Sequence, residues 1–322
     1  MTQSSWSAHV RRDPTLALVA GALIVLLGVG PFVPQWALSF LTVVLNLGIV
    51  VSGMTLLMRT GLVSFGQGLY YCLGAYAAGA LDHFYAASDL LLMVAAGVLL
   101  AVLVALVLGL LMAKYRDIFF AMLSLAFSMI LYGLLVKTSA LGSTDGFGLS
   151  VKTFAGAPIT AHWVRYCIFA LAAVLAAASA AALQVYYESH LGRLAWAIRD
   201  NELRVEYMGA SVYRVIQLNY VIAAALAGMG GALMASAIGH VDPETTANWT
   251  TSGEFVFIAI LSGTGSVLAP FLGAGLFEAV RTYALERFPN TWQMALGATM
   301  LLVIMFLPGG LWSMFRRRAR GT

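Results

Sequence analysis

The chain has 322 residues, of which 61% are hydrophobic and only 10% are charged, and its formal net charge is +4. Soluble domains carry about a quarter of charged residues, so this composition excludes a soluble fold and, with it, a nucleic-acid partner for the positive charge. Apolar segments recur almost throughout without a Pro/Ser-rich linker. This predicts an all-α integral membrane protein with a single transmembrane domain over residues 1–322.

Five apolar segments in the first half of the chain predict membrane-spanning helices. They cover about residues 15–30, 36–58, 62–81, 90–113 and 118–136. Two arginines precede the first segment, as in a signal peptide, but no small-residue cleavage site follows it, so we expect an uncleaved span. The polar side chains inside these segments either bond a neighbouring helix or face a wet translocation path, and the sequence leaves both alternatives open. They are Asn46, Ser64, Gln67, Ser124 and Ser128.

The second half of the chain predicts further spans. The apolar segments cover about residues 163–186, 213–238, 254–262, 270–285 and 291–311. The second of them carries small residues four apart, which would let two helices approach closely in lipid. This row consists of Ala224, Gly228, Ala232 and Ser236.

The number of spans depends on residues 254–281, which form either one helix or two. Two helices give ten spans, and ten spans place the Arg-rich regions at both ends of the chain and the charged segment in the cytoplasm, where Lys and Arg concentrate. The segment that ends at Ser262 has only about ten clearly apolar residues, where about 20 are expected for a straight crossing. We therefore expect it to start near Thr246 or to be interrupted.

The charged segment runs from Glu188 to Arg214 and carries four acidic and four basic side chains. Burying them in lipid would cost roughly 2.5–3.5 kcal/mol each, so the segment lies outside the bilayer. Its pattern predicts one amphipathic helix that follows Gly192 and ends at Gly209. This is either a solvated loop helix or a surface that fits a groove on a soluble partner. Its predicted apolar stripe consists of Leu194, Ile198, Val205 and Met208.

Sequence motifs for catalysis are missing. There is no GxxxxGK[ST] loop for nucleotide phosphates, no HExxH and no CxxC, so we expect no catalytic residue, no metal and no cofactor in this chain. The two cysteines, Cys72 and Cys167, lie in apolar segments and are expected to be core residues. Glu278 is predicted in mid-span, where it either pairs with Arg281 or lines the translocation path.

Three groups of residues, in the early, middle and late chain, resemble one family. The early group is Asn46-Leu47, Gly61-Leu62-x-Ser64-x-Gly66-Gln67 and Gly74-Ala75-Tyr76, and the late group is Leu261-Ser262-Gly263-x-Gly265-Ser266 with Leu307-Pro308-x-Gly310-Leu311. The middle group resembles the cytoplasmic coupling loop of permease subunits in bacterial ABC importers, above all the LivH/LivM branched-chain amino acid type. It consists of Gly192, Arg193, Ala197, Ile198, Arg199, Asn201, Glu202 and Gly209, with Leu194 between them.

The resemblance implies a type II-like permease of about ten transmembrane helices in the bacterial inner membrane, with both termini cytoplasmic. It implies that residues 192–209 form a coupling helix that contacts two ATP-binding cassette subunits, with Arg193 and Glu202 as anchors at the edge of the ATPase groove. ATP and Mg would be bound by those subunits. A second, LivH-like permease would complete the pore, and a periplasmic substrate-binding protein would dock on residues 137–162 and 239–252.

The implied solute is first a branched-chain amino acid, with other amino acids, urea, short amides and aromatic acids as alternatives. Two rival functions are a self-sufficient secondary carrier or channel, which would need no partner, and a membrane-embedded enzyme. The enzyme would need a nucleophile with a base, or a metal pair, at helix depth, and the sequence offers neither.

Overall fold

The computed structural model describes residues 14–160, 163–287, 291–306 and 310–313. The Arg-rich regions at both ends of the chain lie outside these ranges. The α-helices are α1 (Pro14–Val29), α2 (Gln35–Arg59), α3 (Gln67–Tyr85), α4 (Leu90–Met112), α5 (Asp117–Lys137), α6 (Val164–Glu188), α7 (His190–Asp200), α8 (Glu202–Tyr207), α9 (Val212–Ile238), α10 (Pro243–Thr246), α11 (Trp249–Ser262), α12 (Ala269–Arg287) and α13 (Trp292–Phe306). The short strands are β1 (Phe147–Gly148), β2 (Thr153–Phe154), β3 (Ala157–Pro158) and β4 (His240–Val241).

The predicted third span is wrong at its beginning, because α3 starts at Gln67 and residues 62–66 are not helical. Two hydrogen bonds hold this short segment in place of helical bonds. The hydroxyl of Ser64 accepts one from the amide of Gly66 at 3.2 Å, and the hydroxyl of Ser124 on α5 accepts one from the amide of Phe65 at 3.0 Å. The segment is apolar enough for a helix, so contact with α5 decides its conformation.

Residues 254–281 belong to two helices, α11 and α12, separated by a turn that begins at Gly263, whose φ is 78°. The chain is also interrupted before α11, which is one of the two alternatives for this short apolar segment. There α10 ends at Thr246, and Asn248 caps α11 by accepting a hydrogen bond from the amide of Thr250 at 3.3 Å. Six of the described helices are long and apolar enough to cross a membrane.

The centre of the bundle is α9, which packs against α2, α3 and α4. The predicted row of small residues on α9 is buried, and the backbones approach closely beside it. A Cβ on Gly74 of α3 would lie 2.0 Å from the carbonyl oxygen of Gly228, and one on Gly231 would lie 1.9 Å from that of Tyr71. The prediction of close helix packing on α9 is confirmed.

The loops between α5 and α6 and after α9 join into one surface, because β1 and β4 pair antiparallel with Phe147 opposite Val241. Two carboxylates fix this surface to the helices. Asp82 of α3 accepts a hydrogen bond from the amide of Ser150, and Asp89 at the start of α4 accepts one from the amide of Gly156, both at 2.7 Å. The amide of Gly156 lowers the pKa of Asp89 by bonding its charged form.

Candidate functional site

The charged segment forms two helices, α7 and α8, where one was predicted. Ser189 caps α7 by accepting a hydrogen bond from the amide of Gly192 at 3.2 Å, so Gly192 lies inside the helix and not before it. Asn201 is extended, and its side chain caps α8 by accepting a bond from the amide of Arg204 at 2.9 Å. Gly209 follows the end of α8 with a φ of 83°, the left-handed conformation expected there.

The apolar side chains of the segment do not form the single stripe that was predicted. Ile198 and Val205 are buried in the hydrophobic core of the chain, and Leu194 and Ala197 pack at the edge of that core. Met208, by contrast, is 65% exposed. The break at Asn201 interrupts the helical period, so the residues after it do not continue the face formed by those before it.

Three large apolar side chains on α8 and directly after it are exposed, as are Arg193 and Arg199 of α7. Large apolar side chains clustered among charges on a surface outside the membrane mark an interaction site. We call this set the exposed patch. It consists of Leu203, Tyr207 and Met208, which are 65%, 90% and 65% exposed.

Glu202, expected as an anchor for a partner, is bound within the chain. Arg116, at the start of α5, donates to both oxygens of its carboxylate, with the shortest contact at 2.7 Å. Arg116 also donates to the carbonyl oxygens of Ala113 and Tyr115. Glu202 therefore ties α8 to α5. This contact could not be predicted from the sequence, since the partners are 86 positions apart and Arg116 looks there like any charge at the end of a span.

A second cation, Arg59, joins the segment to the bundle. It is buried at the end of α2, where its guanidinium lies 3.4 Å from the ring centre of Tyr187 on α6 and 5.5 Å from that of Trp196 on α7. It also donates to the carbonyl oxygen of Thr264, at 2.9 Å, in the turn before α12. A cavity of about 440 Å³ borders the same turn, between Arg199 and Thr264. This side chain of α2 thus contacts three other elements, a role that sequence reasoning missed.

The three serines among the predicted path residues are buried and bonded within the chain. Ser64 and Ser124 hold the segment before α3, as described above, and Ser128 donates to the carbonyl oxygen of Ala247 at 3.3 Å. These bonds favour the first alternative, in which such serines link neighbouring elements.

The two amide side chains among the predicted path residues differ from the serines. Asn46 and Gln67 are almost fully buried, and the oxygens Oδ1 of Asn46 and Oε1 of Gln67 have no hydrogen-bond partner. The nitrogen of Asn46 makes only a long contact of 3.9 Å with the sulfur of Met234. Such unpartnered buried groups are costly, so both remain candidates for a role in the path.

Glu278 lies 3.9 Å from Arg281, the pairing that was one of the two alternatives for it. Arg281 also lies 3.6 Å from Glu254 on α11. Glu254 and Arg281 line a cavity of about 470 Å³ that reaches the loop after α9. We call it the outer cavity. Glu254 was predicted to lie near a span end and was given no role.

Among the residues that the structure describes, no group of three His, Cys, Asp or Glu side chains could hold a metal ion. The described cysteines are free thiols, with Cys72 buried and Cys167 partly buried. The described part of the chain brings together helices, a structured loop surface and a charged segment.

These features define a multi-pass helical membrane protein. Residues 36–305 match the family described as branched-chain amino acid transport system / permease component. This match covers most of the sequence, so the chain belongs to that family and is a transport component, not an enzyme.

Relatives over most of the chain agree with this assignment. The high-affinity branched-chain amino acid transport system permease protein LivM of Escherichia coli K12 is 28% identical over 92% of this chain and 74% of its own. LivM of Salmonella typhimurium LT2 is 28% identical over 87% of this chain and 69% of its own. The autoinducer 2 import system permease protein LsrC of Enterobacter sp. strain 638 is 30% identical over 40% of this chain and 39% of its own. No solved structure matches the chain.

Proposed function

We propose that this chain is a permease subunit of an ATP-driven importer in a bacterial inner membrane, and that α7 and α8 receive the force from two ATP-binding cassette subunits. The observation that carries the proposal is that the charged segment is fixed to the bundle by Arg59 and Arg116 and also carries the exposed patch. A segment that is held by the bundle and exposes apolar side chains is suited to transmit a push.

In this proposal ATP and Mg bind to the partner subunits, and closure of those subunits displaces α8 through the exposed patch. Glu202 passes the displacement to α5 through Arg116, while Arg59 passes it from α7 to α2, α6 and the turn before α12. Arg193 and Arg199 remain exposed as anchors toward the partner. A second, similar permease completes the pore, which alternates between outward and inward access.

The proposed topology has ten spans, with both termini and the charged segment in the cytoplasm. Its support is that ten described helices have at least 14 residues and that arginines cluster at both ends of the sequence. The surface that includes β1 and β4 then faces the periplasm, where a substrate-binding protein docks. The names of the LivM relatives favour a branched-chain amino acid as the solute.

The proposal is tested by co-purification with ATP-binding cassette subunits. Tyr207→Asp combined with Met208→Asp places two charges in the exposed patch, and we expect it to abolish co-purification and uptake while membrane insertion remains intact. Glu206→Gln, an exposed change on the same helix, is the matched control and should leave both unchanged. Uptake by the chain alone, reconstituted without ATPase, would instead support a self-sufficient carrier and overturn the proposal.

A further inference from the structure

The cavity beside Arg199 lies where the end of α2, helix α7, the last turns of α11 and the turn before α12 meet. We call it the inner cavity. Its volume of about 440 Å³ is within the usual range for small-molecule sites. Since α2 is long and apolar enough to cross a membrane and ends at Arg59, the inner cavity lies at the level of the membrane surface, where lipid headgroups are found.

The charge that lines the inner cavity is positive. Of its described lining residues, Arg199 carries the single charged side chain, and none is a carboxylate. Gly61, with a φ of 81°, lies under the stem of this arginine, since a Cβ on it would be 3.5 Å from Cγ of Arg199. The guanidinium of Arg199 forms no ion pair or hydrogen bond with another described residue. Its donors are therefore available to a bound molecule.

A second cation, Arg59, lies next to the inner cavity, because it donates to the carbonyl oxygen of the lining residue Thr264. The guanidinium groups of Arg59 and Arg199 each lie 5.5 Å from the ring centre of Trp196, so they are near neighbours. Arg59 is only 7% exposed, and its Nε has no hydrogen-bond partner. Neither arginine pairs with a described carboxylate. Two like charges at this distance, one of them buried, are costly unless an anion balances them.

Neutral donors and apolar surface complete the lining. The amide and the hydroxyl of Thr264 donate no hydrogen bond to another described residue. The other lining side chains are apolar, and they are Met58, Val63, Ala259 and Ile260. The inner cavity thus places donors for an anion next to apolar surface, which is the combination that suits the glycerol end of a phospholipid.

We propose that the inner cavity binds the phosphate group of an anionic phospholipid. Arg199 donates to the phosphate oxygens through its fork of N–H groups, and the charge of Arg59 adds to the attraction. The glycerol and the first methylene groups lie against Met58, Val63 and Ile260. A bound headgroup also joins α7 to the end of α2, because it balances a charge on each. A soluble phosphate offers the same anion without the apolar part, and the test separates these two sources.

The test measures binding of radiolabelled dioctanoylphosphatidylglycerol to the purified full-length chain in a neutral detergent. We expect saturable binding that Arg199→Gln weakens about tenfold or more, since a charge-assisted bond is lost. Arg193→Gln, an exposed change on the same helix outside the cavity, is the matched control and should leave the lipid affinity unchanged. Equal affinity in Arg199→Gln and the unmodified chain would overturn the proposal.

A second variant separates a lost contact from misfolding. Arg199→Lys keeps the positive charge without the fork, so its lipid affinity should lie between those of Arg199→Gln and the unmodified chain. This ranking in equally monodisperse preparations would exclude misfolding as the cause of the loss. An affinity of Arg199→Lys no higher than that of Arg199→Gln would contradict an attraction through this charge.

Unlabelled competitors separate the phosphate from the acyl chains. Dioctanoylglycerol has the chains without the phosphate, and glycerol 1-phosphate has the phosphate without the chains. Each should compete at least about tenfold less well than the lipid. Equal competition by dioctanoylglycerol would overturn the proposal. Equal competition by glycerol 1-phosphate would support the phosphate site and overturn the lipid as its source.

The outcomes also separate this proposal from the importer function, on which it does not rest. It gives Arg199 a contact with lipid beside the proposed role of this residue as an anchor. A chain that recruits ATP-binding cassette subunits but binds the lipid equally well after Arg199→Gln refutes the lipid site alone. A chain that binds the lipid through Arg199 but recruits no ATPase refutes the importer function and leaves the lipid site standing.

Discussion

The charged segment and the outer cavity both contain arginine–glutamate pairs, but the two pairs differ in geometry. In the charged segment, Arg116 binds Glu202 with several hydrogen bonds, the shortest of 2.7 Å. In the outer cavity, Arg281 approaches Glu254 only to 3.6 Å, and both groups border open space. Short forked contacts fix two helices to each other, whereas the longer contact leaves room for a bound molecule.

The two pairs therefore differ in how firmly they hold the elements on which they lie. In the proposed importer, the charged segment moves together with the helices that it contacts, and Arg59 and Arg116 connect it to α2, α5 and α6. In the outer cavity, Arg281 and Glu254 are held less tightly and line open space. Substitutions that loosen the first region or fill the second therefore have different consequences.

Of the changes near the charged segment, Arg59→Gln is expected to have the largest effect on stability and uptake. The change removes a bond to the carbonyl oxygen of Thr264 and the stacking on Tyr187, which together contribute about 3 kcal/mol. We expect a clear drop in the thermal unfolding midpoint and a loss of uptake. Arg59→Lys, which keeps the charge without the planar stacking, should lie in between. Unchanged stability and uptake in Arg59→Gln would contradict the connecting role of this residue.

Glu202→Arg tests the second connection by placing two cations side by side. Since both side chains are about one-third exposed, we expect a loss of stability of about 1 kcal/mol, together with loss of transport-coupled ATPase activity. The matched reversal, Arg116→Glu with Glu202→Arg, restores the pair in opposite orientation. It should recover much of the lost stability and of the transport-coupled ATPase activity. If the double variant is no better than Glu202→Arg, the pair does not connect α5 and α8.

Asn201→Ala removes the cap of α8 and so tests how firmly this helix of the charged segment is held. Loss of an N-cap costs about 1 kcal/mol, and the exposed patch on α8 should become less well positioned. The effect is measured as a lowered unfolding midpoint and weaker ATPase association. Ser211→Ala removes the longer capping contact of α9, at 3.5 Å, and should lower the unfolding midpoint less. A larger loss in Ser211→Ala than in Asn201→Ala would contradict the importance of the α8 cap.

The smallest predicted effect concerns Asp89 on the loop surface. Its pKa is lowered in the folded chain by the amide of Gly156, so the carboxylate stabilises the fold above its unfolded pKa of about 3.9. This stabilisation is lost as the pH falls through the lower folded pKa. Asp89→Asn should therefore reduce the free energy of unfolding by a few tenths of a kcal/mol at neutral pH. The difference in this free energy between the variant and the unmodified chain should disappear in acid. A difference that grows in acid would contradict the lowered pKa of Asp89.

Most helix boundaries could be predicted from the sequence, because apolar length and flanking charges report directly on membrane spans. The turn after Ser262 and the interruption before α11 were predicted in the same way, from charge placement and a short apolar run. Residues 62–66 were not, because their conformation depends on a hydrogen bond that the amide of Phe65 donates to the hydroxyl of Ser124, 59 positions away. Local hydropathy contains no information on that contact.

The candidate sites were predicted less well than the helices. The charged segment was predicted as one helix with a single apolar stripe, and both predictions were wrong, since an extended Asn201 breaks the helical period. Arg59, Arg116 and Arg281 each act through partners on other elements. In the sequence the first two are indistinguishable from charges that merely flank a span, and Arg281 suggested only a neighbour for Glu278.

The most direct test of the central claim is the accessibility of Tyr207→Cys in a background where Cys72 and Cys167 are replaced by alanine. We predict that the new thiol reacts with a membrane-impermeant maleimide from the cytoplasmic side, and that assembly with ATP-binding cassette subunits protects it. Reaction from the periplasmic side, or unchanged labelling in the assembled complex, would contradict the account.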